Sequence, residues 1–172
     1  MINKQYLGWA AAALLLATGP VWAEKADREK PINIEADNGM LDQANQLTVF
    51  TGNVLIVQGT LKITGAEVSV KQDNQGNQNM VSKGSPTTMR QKLDDKNEYV
   101  TGQANQITYD SKSGIAVLTG NALVTREGDR VKGHVITYNT NTEIYTVKGA
   151  AGAKKGGRVS VILQPSTTQK SN

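Results

Sequence analysis

Shifted against itself by 68 residues, this chain matches without a gap, and that repeat restricts its possible folds more than any other feature. Leu47-Thr-Val-Phe-Thr-Gly-Asn-Val-Leu-Ile-Val falls on Ile115-Ala-Val-Leu-Thr-Gly-Asn-Ala-Leu-Val-Thr, and Ile63-Thr-Gly-Ala-Glu-Val-Ser-Val falls on Val131-Lys-Gly-His-Val-Ile-Thr-Tyr. Ala36 meets Ala104, and Asp42 meets Asp110. The shared centre is Thr-Gly-Asn at 51–53 and 119–121. Glycine there lets the chain bend or bulge without a Cβ clash, so each unit reads as strand, Thr-Gly-Asn corner, strand, turn, strand, turn, strand. Two such copies predict stacked β-hairpin units.

Val, Ile, Thr and Tyr come in short runs separated by Gly, Asn and Asp, the pattern of strands and hairpins. Strands are expected at Ile32–Glu35, Leu47–Thr51, Asn53–Gln58, Leu61–Thr64, Ala66–Lys71, Met80–Lys83, Thr87–Arg90, Tyr99–Thr101, Gln106–Tyr109, Ile115–Thr119, Ala122–Thr125, Arg130–Lys132, His134–Tyr138, Glu143–Val147 and Arg158–Leu163. Within them, Leu61 and Ile63 alternate with Lys62 and Thr64, Val68 and Val70 with Glu67 and Ser69, and Ile136 and Tyr138 with Thr137. Such alternation gives antiparallel strands one apolar and one wet face. Beyond the first 23 residues, no window keeps a helical apolar spacing for three turns. Gln72–Gln78 and Gln91–Glu98 read as polar loops, Lys148–Arg158 as a Gly/Ala/Lys stretch, and 164–172 as a disordered polar tail.

Residues 1–23 read as a secretory leader: Lys4, the apolar run Leu7–Ala17, the break at Gly19-Pro20, and Val21-Trp22-Ala23 before Glu24. The apolar run is shorter than the roughly 20 residues that span a bilayer, so cleavage after Ala23 is expected. Both Trp residues leave with the leader, and with Lys4 the net charge of +4 falls to +3. So small a balance without clustered bases argues against nucleic-acid binding. The chain has no Cys and one His, which removes disulfides, thiol nucleophiles, zinc ribbons and His-rich metal sites, and no cofactor is expected. Export without Cys or a second apolar span points to a periplasmic protein.

With these residues in view, the chain resembles the OstA-like β-jellyroll family of lipopolysaccharide transport proteins, the LptA family. The resemblance rests on Pro31-Ile-Asn-Ile-Glu-Ala-Asp, Thr51-Gly-Asn-Val with Val57-Gln-Gly-Thr-Leu-Lys-Ile, Gly84-Ser-Pro-Thr-Thr, Gly102-Gln-Ala, Leu118-Thr-Gly-Asn-Ala, and Lys132-Gly-His-Val-Ile-Thr-Tyr with Arg158-Val and Pro165, in the family's order. Met89 departs from it, standing where relatives tend to carry an aromatic. The resemblance implies an all-β fold, an open, slightly twisted jellyroll of antiparallel strands over 24–163. It implies an apolar interior for the acyl chains of lipopolysaccharide and no catalytic activity. It also implies head-to-tail self-association, contact with an inner-membrane-anchored LptC at one end, and contact with the periplasmic domain of LptD at the other.

Inward parity and repeat equivalence then nominate Ile32, Ile34, Phe50, Ile63, Val68, Met89, Tyr109, Leu118, Ile136 and Tyr138 as the lipid-binding lining. The terminal strands Ile32–Glu35 and Arg158–Leu163 are the expected edges for pairing with a neighbour. Lys148, Lys154, Lys155 and Arg158 read as a solvated basic loop, Asp94 and Asp95 as a solvated turn, and His134 as an ordinary strand residue. Competing readings are a structural β-repeat that polymerises without lipid and an exported β-structured hydrolase; no nucleophile and base arrangement supports the latter.

Overall fold

The computed structural model describes residues 27, 30–93, 98–139, 142, 144–150 and 157–165. The leader, Asp94 and Asp95, Lys154 and Lys155, Glu143 and the tail from 166 onward lie outside the described residues.

Among the described residues ten strands follow in order: β1 (Ile32–Glu35), β2 (Asn38–Asp42), β3 (Leu47–Gln58), β4 (Leu61–Gln72), β5 (Gln78–Lys92), β6 (Tyr99–Asp110), β7 (Ile115–Arg126), β8 (Asp129–Asn139), β9 (Ile144–Lys148) and β10 (Ser160–Ile162). All belong to one open antiparallel sheet, ordered β1-β3-β4-β5-β6-β7-β8-β10, with β2 also on β3 and β9 also on β8. The all-β, open architecture expected from the sequence is therefore the one observed.

Three expectations change. The paired short strands within each unit are single long strands, and Thr-Gly-Asn is a bulge inside β3 and β7 rather than a corner between two strands. Gly52 and Asn53 have φ of 78° and 46°, and Gly120 and Asn121 have 78° and 51°, left-handed values that Gly and Asn tolerate best. Backbone pairing with neighbours resumes past each bulge, which keeps the halves in one strand. The loops are shorter than expected, because Gln72 ends β4, Gln78 opens β5, and Gln91 and Lys92 complete β5. Finally, β2 was not anticipated: Asn38-Gly-Met-Leu-Asp is turn-like locally, but β3 supplies its partner, from Asn38 opposite Thr51 to Asp42 opposite Leu47.

The repeat is visible in the register. Ile32 faces Gln58 and Asp42 faces Leu47, just as Val100 faces Arg126 and Asp110 faces Ile115. Thus β1 and β2 are the halves of one broken strand equivalent to β6. At the other edge, Val68 faces Ser82 and Ile63 faces Met89, while Ile136 faces Val147 and Val131 faces Val161. So β9 and β10 are the broken equivalent of β5.

Every long strand shifts register at the same level: Thr51/Val54, Thr64/Glu67, Lys83/Thr87, Gln103/Gln106 and Thr119/Ala122. These aligned irregularities crease the sheet. Layer one holds β1, β10 and the halves around Ile56, Ile63, Met89, Gly102, Val124 and Val131; layer two holds β2, β9 and the halves around Phe50, Val68, Met80, Ile107, Leu118 and Ile136. The core lies between them in two clusters. One joins Val54, Ile56, Ile63 and Val68; the other joins Ala104, Ile107, Leu118, Ala122, Val124 and Ile136; Met89 packs on both.

Candidate functional site

Directly opposed residues in a sheet share a face, so register identifies the inner surface. Ile34, Ile56, Ile63, Met89, Gly102, Val124, Val131 and Val161 form one inner row of layer one. Gly39, Phe50, Val68, Ser82, Ile107, Leu118, Ile136 and Val147 form the facing row of layer two. On β4 the inner residues are Leu61 and Ile63 before the bulge, then Val68 and Val70 after it, so the parity reverses at Gly65-Ala66.

All ten lining residues expected from the sequence lie on this inner face, at different depths. Val68 and Ile136 are 0% exposed, Leu118 2% and Ile63 3%: they are packed core. Phe50, Met89, Tyr109 and Tyr138 are half-buried. Ile32 and Ile34, at 49% and 37%, stand open on the β1 edge. The ten positions leave out the buried Ile56, Ile107 and Val124 on the same face, together with Val131 and the lining at Leu61, Met80, Val100, Val147 and Val161. Leu61 shows the alternation in the sequence, whereas Val147 and Val161 carry no repeat signal because they do not stand at the 68-residue shift from their equivalents Ser82 and Met89.

Two features polarise this apolar space. Between the clusters, Ser82 and Thr87 are fully buried, their hydroxyls 2.5 Å apart, and Thr87 Oγ1 donates to the Thr64 carbonyl at 2.8 Å. Thr87 has one hydroxyl proton, so Ser82 donates to Thr87. A Cβ on Gly65 would stand 2.8 Å from Ser82 Oγ, which is why the bulge needs glycine beside this pair.

The two lips of the crease differ. On the layer-one lip, Glu98 accepts from Arg126 at 3.0 Å, and that bond raises the Arg126 guanidinium pKa. On the layer-two lip, Asp42, Asp73 and Asp110 cap the turns through Asn45, Asn77 and Ser113, and those side-chain hydrogen bonds lower each carboxyl pKa. The Tyr138 and Tyr145 rings stack at 4.3 Å where β8 meets β9. His134 is exposed, and among the described residues no group of three His, Asp or Glu converges. The arrangement offers apolar contact in the interior and charge at its margins, which suits an elongated amphiphile.

Comparison with known proteins gives the same picture. A family profile described as LptA/(LptD N-terminal domain) LPS transport protein matches residues 33–144. The lipopolysaccharide export system protein LptA of Escherichia coli K12 is 37% identical over 164 residues, spanning 94% of this chain and 86% of that protein. Its counterpart in Haemophilus influenzae is 33% identical over 162 residues, spanning 92% and 91%. Among solved structures, LptH of Pseudomonas aeruginosa, described as the LptA-homologous periplasmic component of the lipopolysaccharide transport device, superposes with a TM-score of 0.73 at 32% identity. The match covers 81% of this chain and 99% of that one.

Proposed function

This chain belongs to the LptA/(LptD N-terminal domain) LPS transport protein family, and on that premise we propose that it is a periplasmic, non-enzymatic carrier whose creased interior shields lipopolysaccharide acyl chains. The observation that supports this most is the inner face itself, an apolar surface crossing every strand, buried at the crease and half-open toward the lips. At about 0.8 kcal/mol per CH₂, one acyl chain of a dozen carbons left in water costs on the order of 10 kcal/mol, more than a surface patch can offset. Phe50, Met89, Tyr109 and Tyr138, with the open Ile32 and Ile34, are the contact positions; Ile63, Val68, Leu118 and Ile136 hold the layers together behind them. Export follows cleavage after Ala23, leaving a mature domain over 24–163.

Photo-crosslinking residues at Ile34, Phe50, Met89 and Tyr138 test this reading. Adducts with lipopolysaccharide are expected at these positions and not at outward-facing Thr108 or Thr137. No adduct at any of the four overturns the carrier reading and leaves the lipid-free scaffold.

Self-association follows from the broken strands. Inside the chain, β5 pairs with β6; at the edges, β9 and β10 are the equivalents of β5, and β1 and β2 of β6. Setting β9 and β10 of one copy against β1 and β2 of the next continues the internal joint, with Val161 opposite Ile34 and Val147 opposite Gly39. The edges differ, so the contact is heterologous and open-ended. The same two edges serve LptC at one end of the assembly and the periplasmic domain of LptD at the other.

A further inference from the structure

The outer surfaces of the two layers differ in charge. Following direct partners across layer one gives an unbroken outer row: Asn33, Val57, Lys62, Arg90, Thr101, Thr125, Arg130 and Ile162. The next outer row runs Glu35, Leu55, Thr64, Thr88, Gln103, Leu123, Lys132 and Ser160. Four exposed cations face one carboxylate. Of the two comparable rows of layer two, one runs Met40, Val49, Ser69, Val81, Thr108, Val117, Thr137 and Thr146 with no charge at all, and the other holds the paired Glu67 and Lys83 and a single further cation, Lys148.

Lys62 and Arg90 are directly opposed on adjacent strands, about 5 Å apart at the backbone. Like charges so placed destabilise a sheet, and here no carboxylate in the row relieves them. Two neighbouring acids are occupied elsewhere: Glu67 pairs with Lys83 at 2.9 Å, and Glu98 pairs with Arg126. Among the described residues Lys62, Arg90, Arg130 and Lys132 carry no ion pair. Arg90 is held in place, its guanidinium carbon 3.9 Å from the Tyr99 ring centroid. Arg130 stands three strands beyond Arg90, about 14 Å away, and the bonded Thr101 and Thr125 hydroxyls fill the interval.

We propose that this outer face of layer one docks on the phosphate groups of an anionic bilayer surface. A rigid sheet presents its cations in one plane, matching headgroup phosphates that also lie in a plane. The uncharged outer row of layer two sets the orientation, basic side toward the lipid. Val57, Leu55, Leu123 and Ile162 border the cations and add apolar contact at headgroup depth. The attraction falls within a Debye length of about 8 Å at physiological salt, so it is short-ranged and reversible. The surface lies outside the creased interior and is independent of the acyl-chain site.

Vesicle co-sedimentation tests the assignment, using the purified protein with phosphatidylcholine vesicles with and without phosphatidylglycerol. Binding is expected only with phosphatidylglycerol, and is expected to weaken as salt is raised. Each single change, K62E, R90E or R130E, should weaken it about fivefold or more, and the triple variant should abolish it while circular dichroism stays that of the parent. The paired change K71E/K112E, near the layer-two lip, should leave binding unaltered. Failure of the parent protein to bind, equal binding to both vesicle types, or retained binding by the folded triple variant overturns the proposal.

Discussion

Leu118 Cδ2 lies 3.1 Å from the point a Cβ on Gly102 would occupy, although Leu118 is paired with Ile107, five residues further along β6. In a flat strand those five residues span roughly 17 Å. The contact exists because the sheet is creased at Gln103/Gln106, bringing layer two back over layer one. Met89 Cγ sits 3.0 Å from the same point, so Gly102 marks where both layers and the neighbouring strand converge.

Gly102→Val is expected to overpack this convergence and destabilise the protein by about 1–3 kcal/mol. Leu118→Ala alone is expected to cost about 2–5 kcal/mol. Combining them should cost less than the sum, because the valine enters space the leucine leaves. Thermal unfolding of the four proteins by circular dichroism measures the coupling, and strict additivity would contradict the crossing contact.

The buried hydroxyl pair predicts unequal losses. Thr87→Val removes the donor to the Thr64 carbonyl and the acceptor for Ser82, and should destabilise by about 1–3 kcal/mol. Ser82→Ala removes one donor to a hydroxyl that keeps its other bond, and should cost about 1 kcal/mol or less. Denaturant midpoints of the two variants give the order directly.

Acid sensitivity follows from the turn carboxylates. Asp42, Asp73 and Asp110 have pKa values lowered in the folded chain, so the unfolded chain takes up protons first. Their contribution is present above the ordinary carboxylate range and is lost as pH falls through the folded values, below about pH 4. All three carboxyls lie at the surface, Asp73 exposed and Asp42 and Asp110 on half-buried residues, so the effect is small. Asp110→Asn should lower the melting midpoint at neutral pH and converge with the parent protein at the acid end of a melting series.

The head-to-tail joint makes a positional prediction in a chain free of cysteine. The double substitution Ile34→Cys with Val161→Cys should yield a ladder of disulfide-linked oligomers on mild oxidation. Moving the first cysteine one residue, to Asn33, turns it to the other face and should leave mostly monomer. Non-reducing electrophoresis distinguishes the two.

Much of the fold was legible because period-two alternation is a local signal and the 68-residue repeat is written in the residue order itself. Phe50 and Leu118, chosen as equivalents, do occupy matching inner positions, facing Val68 and Ile136. The volume balance around them was not legible. Phe50 lies over Gly39, whose Cβ would be 3.2 Å from the ring, whereas Leu118 lies beside Ile107, so the pairs trade bulk between partners. Nor did the sequence distinguish Ile136, packed core, from Ile34, open lining; both read as inward apolar residues on alternating strands.

The sequence alone determined most of the strands and their inward parity, which depend on residues a few positions apart, and the repeat, which appears when the chain is compared with itself. Only the tertiary structure decided that Thr-Gly-Asn continues a strand, that Asn38–Asp42 becomes one, and that Lys62 opposes Arg90. These depend on which backbone donors and acceptors a neighbouring strand presents. Depth within the crease was decided in the same way, since burial of a side chain is fixed by the layer folded over it and not by its own strand.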